Sequence, residues 1–268
     1  MEFTNTKLRR LRTKVAQPIY PIDTTLVDVA TKADGVSRGG IYAPIQNPAS
    51  HLIYRYLTEL VVAVLEKHSG KSIKNLRVLD WGGGKGYVAY FLQISGAKTT
   101  LYETEDFPHK ILWNEFKIDI KTSSGDKLPF ENKYFDAVIG FGVLEHVPYD
   151  YEALKEVNRI LKDDGLFFCF NLPNKTGYVH KIAWYSGVRY HDRLYTQKEV
   201  RMLIKRAGFN LVGKPWFRQL LPKTHYYYPK PRLFERLDLI ATNYTPLCYL
   251  AASIEFIARK QNTYTSIH

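Results

Sequence analysis

The chain has 268 residues, 45% of them apolar, and a formal charge of +12. That length and apolar content suit one large α/β domain with additions and a sizeable core. No apolar run reaches the roughly 18 residues of a membrane-spanning helix, and no apolar stretch of a secretory signal follows the basic cluster Lys7, Arg9, Arg10, Arg12 and Lys14.

In chain order, residues 1–45 show little periodicity and read as a basic N-terminal extension, ordered where it packs on the core. Residues 46–262 read as one domain. Leu52, Tyr56, Leu60, Val61, Val64 and Leu65 recur at helical spacing, which predicts a helix over 49–69, stopped at Gly70. Strand patterns follow at 76–81, 99–103, 117–121 and 135–141, with helices at 88–94 and 107–115 between them. A helix over 151–161 leads through Gly165 to a strand at 166–171. A helix over 196–207, a strand starting at 209–213 and a strand over 251–258 complete the pattern. Such alternation predicts βαβ units and a mostly parallel sheet. Two stretches, 172–195 and 219–247, are loose and too long for ordinary loops, so they read as lids or binding segments. The cysteines, Cys169 and Cys248, fall in apolar strand-like stretches. They are expected to be free thiols in a reducing cytoplasm.

VLDWGGGKG at 78–86 ends a strand at Asp80 and turns through glycines into a helix. Glycines allow a sharp turn and close approach to a ligand, and the helix start offers free N–H groups. Glu103 ends the next strand, about 20 residues on, where a carboxylate can take ribose hydroxyls. This much also suits a nicotinamide dinucleotide, but glycines at 82, 84 and 86 depart from its G-x-G-x-x-G order.

Three further blocks carry a resemblance. They are GDKLPFENKYFDAVIGFGVLEHV (125–147), LKEVNRILKDDGLFFCFNLPN (154–174) and HDRLYTQKEVRMLIKRAGF (191–209). With the glycine loop they resemble class I S-adenosylmethionine-dependent methyltransferases related to the ubiquinone and menaquinone biosynthesis enzymes. The resemblance implies a Rossmann-like, doubly wound seven-stranded sheet of order 3-2-1-4-5-7-6, the last strand antiparallel. It implies S-adenosylmethionine across the carboxyl ends of strands one, two and four. By motif position, Gly82, Gly84 and Gly86 approach its methionine and ribose portions, Asp80 holds the loop and the amino group, and Glu103 takes the ribose. Asp126 and Ser124 are alternative adenine contacts, because SSGDKLPF departs from the usual spacing. Phe141 lines the cofactor or belongs to the core, with neither reading preferred.

Methyl transfer from a sulfonium is an in-line displacement, so alignment is the protein's main task. A hydroxyl acceptor also calls for a general base, for which histidine suits near neutrality. His191, beside Asp192, and His146, in LEHV, are the two candidates; His180 and His225 are weaker. Some relatives place a divalent ion on E-x-x-E-H here, but Gly142 stands at the first glutamate position. No metal is expected. The insert KTHYYYPKPRLFER (223–236) interleaves aromatics and cations, as nucleic-acid or membrane-interface segments do. Trp184, Tyr185 and Tyr190 are candidate walls of an acceptor pocket.

The reading is therefore O- or N-methylation of a small-molecule, sugar or lipid-linked acceptor. The +12 charge suits an anionic acceptor, or a cytoplasmic enzyme in peripheral contact with an anionic membrane surface. An RNA methyltransferase is the alternative, less favoured because GFGVLEH replaces the N/D-P-P-aromatic run of amino-directed nucleic-acid enzymes. A non-catalytic cofactor-binding protein is the third reading.

Overall fold

A computed structural model describes residues 4–16, 22–34, 48–104, 111–124, 127–187, 191–221 and 231–261. Its centre is one sheet of β1 (Arg77–Trp81), β2 (Lys98–Thr104), β3 (Asp119–Ser123), β4 (Phe135–Phe141), β5 (Leu161–Pro173), β6 (Phe209–Leu211), β7 (Trp216–Arg218) and β8 (Ser253–Lys260). The order is β3-β2-β1-β4-β5-β8-β6, with β7 also on β8. The pairs from β3 through β5 are parallel, and β8 runs antiparallel to β5, β6 and β7. This is the implied Rossmann-like order, with the sixth strand split in two. Leu211 lies opposite Ala258 and Trp216 opposite Glu255 along the same edge of β8. The break falls where Gly213 takes φ +78 and Pro215 has no N–H to give.

The helices are α1 (Asn5–Val15), α2 (Thr24–Asp34), α3 (Pro48–Ser69), α4 (Tyr87–Ile94), α5 (Ile111–Glu115), α6 (Asp150–Ile160), α7 (Tyr178–Tyr185), α8 (Gln197–Arg206) and α9 (Pro231–Tyr244). Side chains alternate across a strand, so Phe167 and Phe168 enter different cores. Phe168 meets Val61, Val64 and Leu65 of α3, and Phe167 meets Leu154, Val157 and Ile160 of α6 and Ile204 of α8. Both cores are mainly apolar, and that burial is the main drive for the layered arrangement.

The N-terminal stretch holds two helices where little periodicity is legible. Leu8 and Val15 of α1 join the α3 core, and Leu26 and Ala30 of α2 pack with Tyr90 and Phe91 of α4. The helical period in α1 is disguised because Arg12, 4% exposed, occupies an inward position between Leu8 and Val15. The third strand lies two residues later than expected, and α7 and α9 stand in the two loose stretches. Cys248 sits in a short 3-10 turn (Pro246–Leu250), not in a strand; both cysteines are free.

Candidate active site

On the cofactor side, β1 ends at a loop in which Gly82, Gly84 and Gly86 have φ of +64, +52 and +89. L-residues strain in that region. A side chain at Gly82 would enter Val143, and one at Gly83 would meet Asp80 and Leu101. The loop is fixed by the N–H groups of Gly82 and Gly83, which both donate to the Tyr102 carbonyl (2.9 and 3.2 Å). Trp113 Nε1 donates to the Gly84 carbonyl at 2.9 Å. Glu103, at the end of β2, accepts from Gly84 N at 2.8 Å and from Thr104 N at 2.8 Å.

Asp80 is fully buried. One carboxylate oxygen accepts from Ala89 N, in the first turn of α4, at 2.9 Å, and the other has no hydrogen-bond partner. Burial pushes its pKa up to about 7, against the lowering effect of the Ala89 bond. An orphaned buried carboxyl beside a glycine cradle is a place for a donor or cationic group. Phe141, at the end of β4, is half-buried with its ring 4.9 Å from that of Tyr54, and it packs on the α3 core. Ser124 is exposed just past β3. Asp126 lies outside the described residues.

The acceptor side begins at the same place, since Val143, which meets Gly82, leads into Leu144, Glu145 and His146. Glu145 is 1% exposed and neither carboxylate oxygen has a hydrogen-bond partner. His191 Nδ1 stands 3.8 Å from Glu145 Oε1, and His146 Nε2 stands 3.9 Å from it. The two imidazoles are 5.7 Å apart between ring centres, and His180 of α7 stands 5.3 Å from His191. Burial raises the Glu145 pKa to about 7. Burial, then the neighbouring His180 and His146, lower that of His191 to about 4. Burial thus favours the neutral forms of both Glu145 and His191.

The two sequence-predicted histidines thus converge, on a glutamate that spacing singled out only as an incomplete metal motif. His180 is also part of the cluster, although in the sequence it stands apart, 11 residues before His191. It donates from Nε2 to the Ala252 carbonyl at 2.9 Å, a contact its sequence neighbours do not reveal. His225, Tyr190, Lys223, Lys230 and Tyr226 to Tyr228 lie outside the described residues. Trp184 and Tyr185 are 62% and 88% exposed on α7, which has no buried residue of its own.

The HDRLYT block works as a latch. Tyr195 donates to Asp150 Oδ2 at 3.0 Å, and Arg193 donates to the Pro148 carbonyl at 3.0 Å. Thr196 and Glu199 form a capping box that starts α8. These contacts seat His191 beside Glu145. The β5 end is also shaped. Asn171 takes φ +59 at a bulge and accepts from Gln219 Nε2 at 2.7 Å, Gln219 itself having φ +63. Bulges and left-handed residues often re-aim side chains beside active sites.

Glu145, His146 and His191 present one ligand atom each within 4.8 Å of one another, close enough to share a divalent ion. Gly142 supplies no fourth group, and one carboxylate with two imidazoles is a borderline nitrogen-rich set, poor for magnesium or calcium.

A methyltransferase-domain family model matches residues 51–214. A ubiquinone biosynthesis O-methyltransferase of Pelagibacter ubique is 26% identical over 206 residues, covering 66% of this chain and 83% of that protein. A ubiquinone/menaquinone biosynthesis C-methyltransferase of Bartonella quintana is 30% identical over 171 residues, covering 58% and 64%. Several other curated relatives are matched over 51% of their own length. Among solved structures, an S-adenosylmethionine-dependent methyltransferase of Methanosarcina mazei aligns with a TM-score of 0.51 at 15% identity. That alignment covers 70% of this chain and 93% of the other.

Proposed function

The chain belongs to the methyltransferase-domain family, and from that premise we propose that it transfers a methyl group from S-adenosylmethionine to a hydroxyl oxygen. The acceptor proposed is a small molecule, a sugar or a lipid-linked compound. The residues fit the cofactor. Gly82, Gly84 and Gly86 leave room for close approach, Glu103 suits ribose hydroxyls, and the free oxygen of Asp80 suits the amino group. S-adenosylmethionine supplies a methyl on a sulfonium, whose departure as a neutral thioether makes displacement favourable.

The observation that carries the oxygen acceptor is Glu145. A buried carboxyl with both oxygens free and a pKa near 7 can accept a hydroxyl proton at neutral pH. His191, held neutral, sits beside it and can share that proton; His146 donates from Nδ1 to Asp192 at 3.2 Å and faces the same space. A carbon acceptor would need a base as well, and a neutral amine would need only that its proton be lost. The surplus of positive charge supports an anionic acceptor, or one presented at an anionic membrane surface. We read the cluster as a proton site that works without a metal.

The test is calorimetry with S-adenosylmethionine, then methyl transfer to nucleotide sugars, quinone precursors and RNA, each with and without chelator. Cofactor binding and transfer to a hydroxyl acceptor, unaffected by chelator, are expected. Transfer to RNA alone would replace the acceptor class. Turnover lost to chelator and restored by one divalent ion would make the cluster a metal site. Absence of cofactor binding would sink the reading altogether.

A further inference from the structure

Helix α9 is amphipathic in the inverse sense. At about 100° per residue, Leu233, Leu237, Ile240 and Tyr244 fall on one stripe, and all four are exposed, Ile240 by 55%. The opposite side carries Asp238 and Thr242, both buried. Asp238 accepts from the backbone N–H groups of Gln219 (3.2 Å) and Leu221 (2.9 Å), and Thr242 donates to the Asp238 carbonyl at 2.7 Å. The polar face of α9 thus holds the chain that leaves β7, and the apolar face is turned outward.

The surface continues beyond the helix. Leu247, Tyr249 and Leu250 of the 3-10 turn are exposed, as are Ile182, Trp184 and Tyr185 of α7. The two elements adjoin, because Asn174, just ahead of α7, donates from Nδ2 to the Tyr249 carbonyl at 3.0 Å. The rim is cationic. The Arg9 guanidinium of α1 lies 5.2 Å from the Tyr244 ring centre, so α1 borders the stripe. Lys7, Arg9, Arg10 and Lys14 are exposed on α1, a helix without an acidic residue, and Lys181 and Arg236 are exposed on α7 and α9.

We propose that this face, the α9 stripe with the 3-10 turn and α7, rimmed by α1, docks on an anionic lipid bilayer. Leucine, isoleucine, tryptophan and tyrosine beside lysine and arginine is the composition of an interfacial surface, with apolar groups entering the acyl boundary and cations meeting acidic head groups. A surface built for another protein would carry fewer lysines at such a face. The location also has a use. His180 lies on α7 and touches His191, so the docked side adjoins the acceptor half of the site, and an acceptor carried in the membrane reaches Glu145 by a short path. That use rests on the lipid-linked acceptor proposed above; the docking itself does not.

The test is flotation of the full chain with phosphatidylglycerol–phosphatidylcholine vesicles and with phosphatidylcholine vesicles, at low and high salt. Binding to the anionic vesicles is expected, weaker by about tenfold or more on neutral ones and reduced by salt. Leu237→Glu with Ile240→Glu should weaken it at least about tenfold, and Arg10→Gln with Lys14→Gln by about fivefold per charge. Unchanged S-adenosylmethionine affinity in these variants shows that they fold. Absence of binding, or equal binding by the glutamate pair, overturns the proposal. A parent dimer that Leu237→Glu with Ile240→Glu makes monomeric would assign the face to a second copy instead, and also overturns it. Vesicle binding without methylation of any lipid-linked acceptor would uphold the docking and remove the lipid-linked class from the proposed acceptors.

Discussion

On the proposed cofactor side of the sheet edge, the site is built from backbone shape. Residues 80–86 are contiguous, Gly82, Gly84 and Gly86 take left-handed φ, and Glu103 is tied to Gly84 by one hydrogen bond. On the acceptor side, side chains from separate segments do the work: Glu145 and His146 after β4, His180 on α7, His191 after it. There the polar atoms are left without partners, as with both oxygens of Glu145 and Nδ1 of His191. A loop read by its backbone tolerates almost no substitution, but serves every acceptor equally. A cluster of orphaned side chains can be retuned one residue at a time, which suits the half that must differ between relatives.

If that contrast holds, the largest effect should come from the loop. Gly82→Val places a branched side chain at φ +64 and against Val143. Calorimetry should show S-adenosylmethionine affinity reduced about 100-fold or more, since both strain and overlap oppose the bound loop. Affinity near the parent's would show that the loop is not the cradle. Glu103→Ala should cost less, about tenfold, for the loss of charge-assisted hydrogen bonds.

The acceptor side should respond in turnover, with cofactor affinity kept. Glu145→Gln keeps size and removes the base, so kcat should fall by about 10²–10³. The base works when deprotonated, so the parent's kcat should fall as pH drops below about 7, and that limb should vanish in the glutamine variant. A limb that persists would assign it to another group. His191→Ala should lower kcat by about tenfold, with the Glu145 limb retained. If His146→Ala abolishes turnover and His191→Ala leaves it intact, the order of the two histidines is reversed.

The contrast also governs how much could be read without coordinates. Most strands were legible because the buried strands are continuous apolar runs and the helices between them keep a 3.6 period, whereas the sheet order followed only from the resemblance. The motif blocks were legible as well, but part of what they mark is frame. Arg159 donates to the carbonyls of Leu128 (2.9 Å) and Phe130 (2.7 Å), and Glu156 accepts from Leu128 N at 3.1 Å. The E-x-x-R pair therefore clamps the LPF turn. Asp136 takes Arg77 N and Lys162 in the same way. Glu145 was hidden because only tertiary burial raises its pKa and brings His191 beside it. Helix α9 was hidden because its apolar stripe, in a stretch rich in proline, tyrosine and cations, serves no core. Helix α1 was hidden because an arginine fills a core position.

The smallest expected effect concerns Asp80, where the cofactor half also keeps a buried carboxylate oxygen without a hydrogen-bond partner. Its pKa is about 7 in the folded chain against 3.8 unfolded, so between those values the native state binds more protons than the unfolded one. Stability from this group is therefore full below about pH 4 and is lost as pH rises through about 7. Asp80→Asn removes the ionisable group, keeps an oxygen for Ala89 N, and should not share that loss. Without cofactor, the asparagine variant should gain on the parent as pH rises from about 4 to about 7 and then hold that gain, read as a Tm difference that grows over that range and is flat above it. On the role proposed for Asp80 at the cofactor's amino group, it should also bind S-adenosylmethionine more weakly. An asparagine variant less stable than the parent at pH 8, with the same pH slope, would mean that the Asp80 carboxyl is fully accommodated without ligand. The cofactor half would then be as self-satisfied as its hydrogen bonds suggest, and the contrast with the acceptor half would be complete.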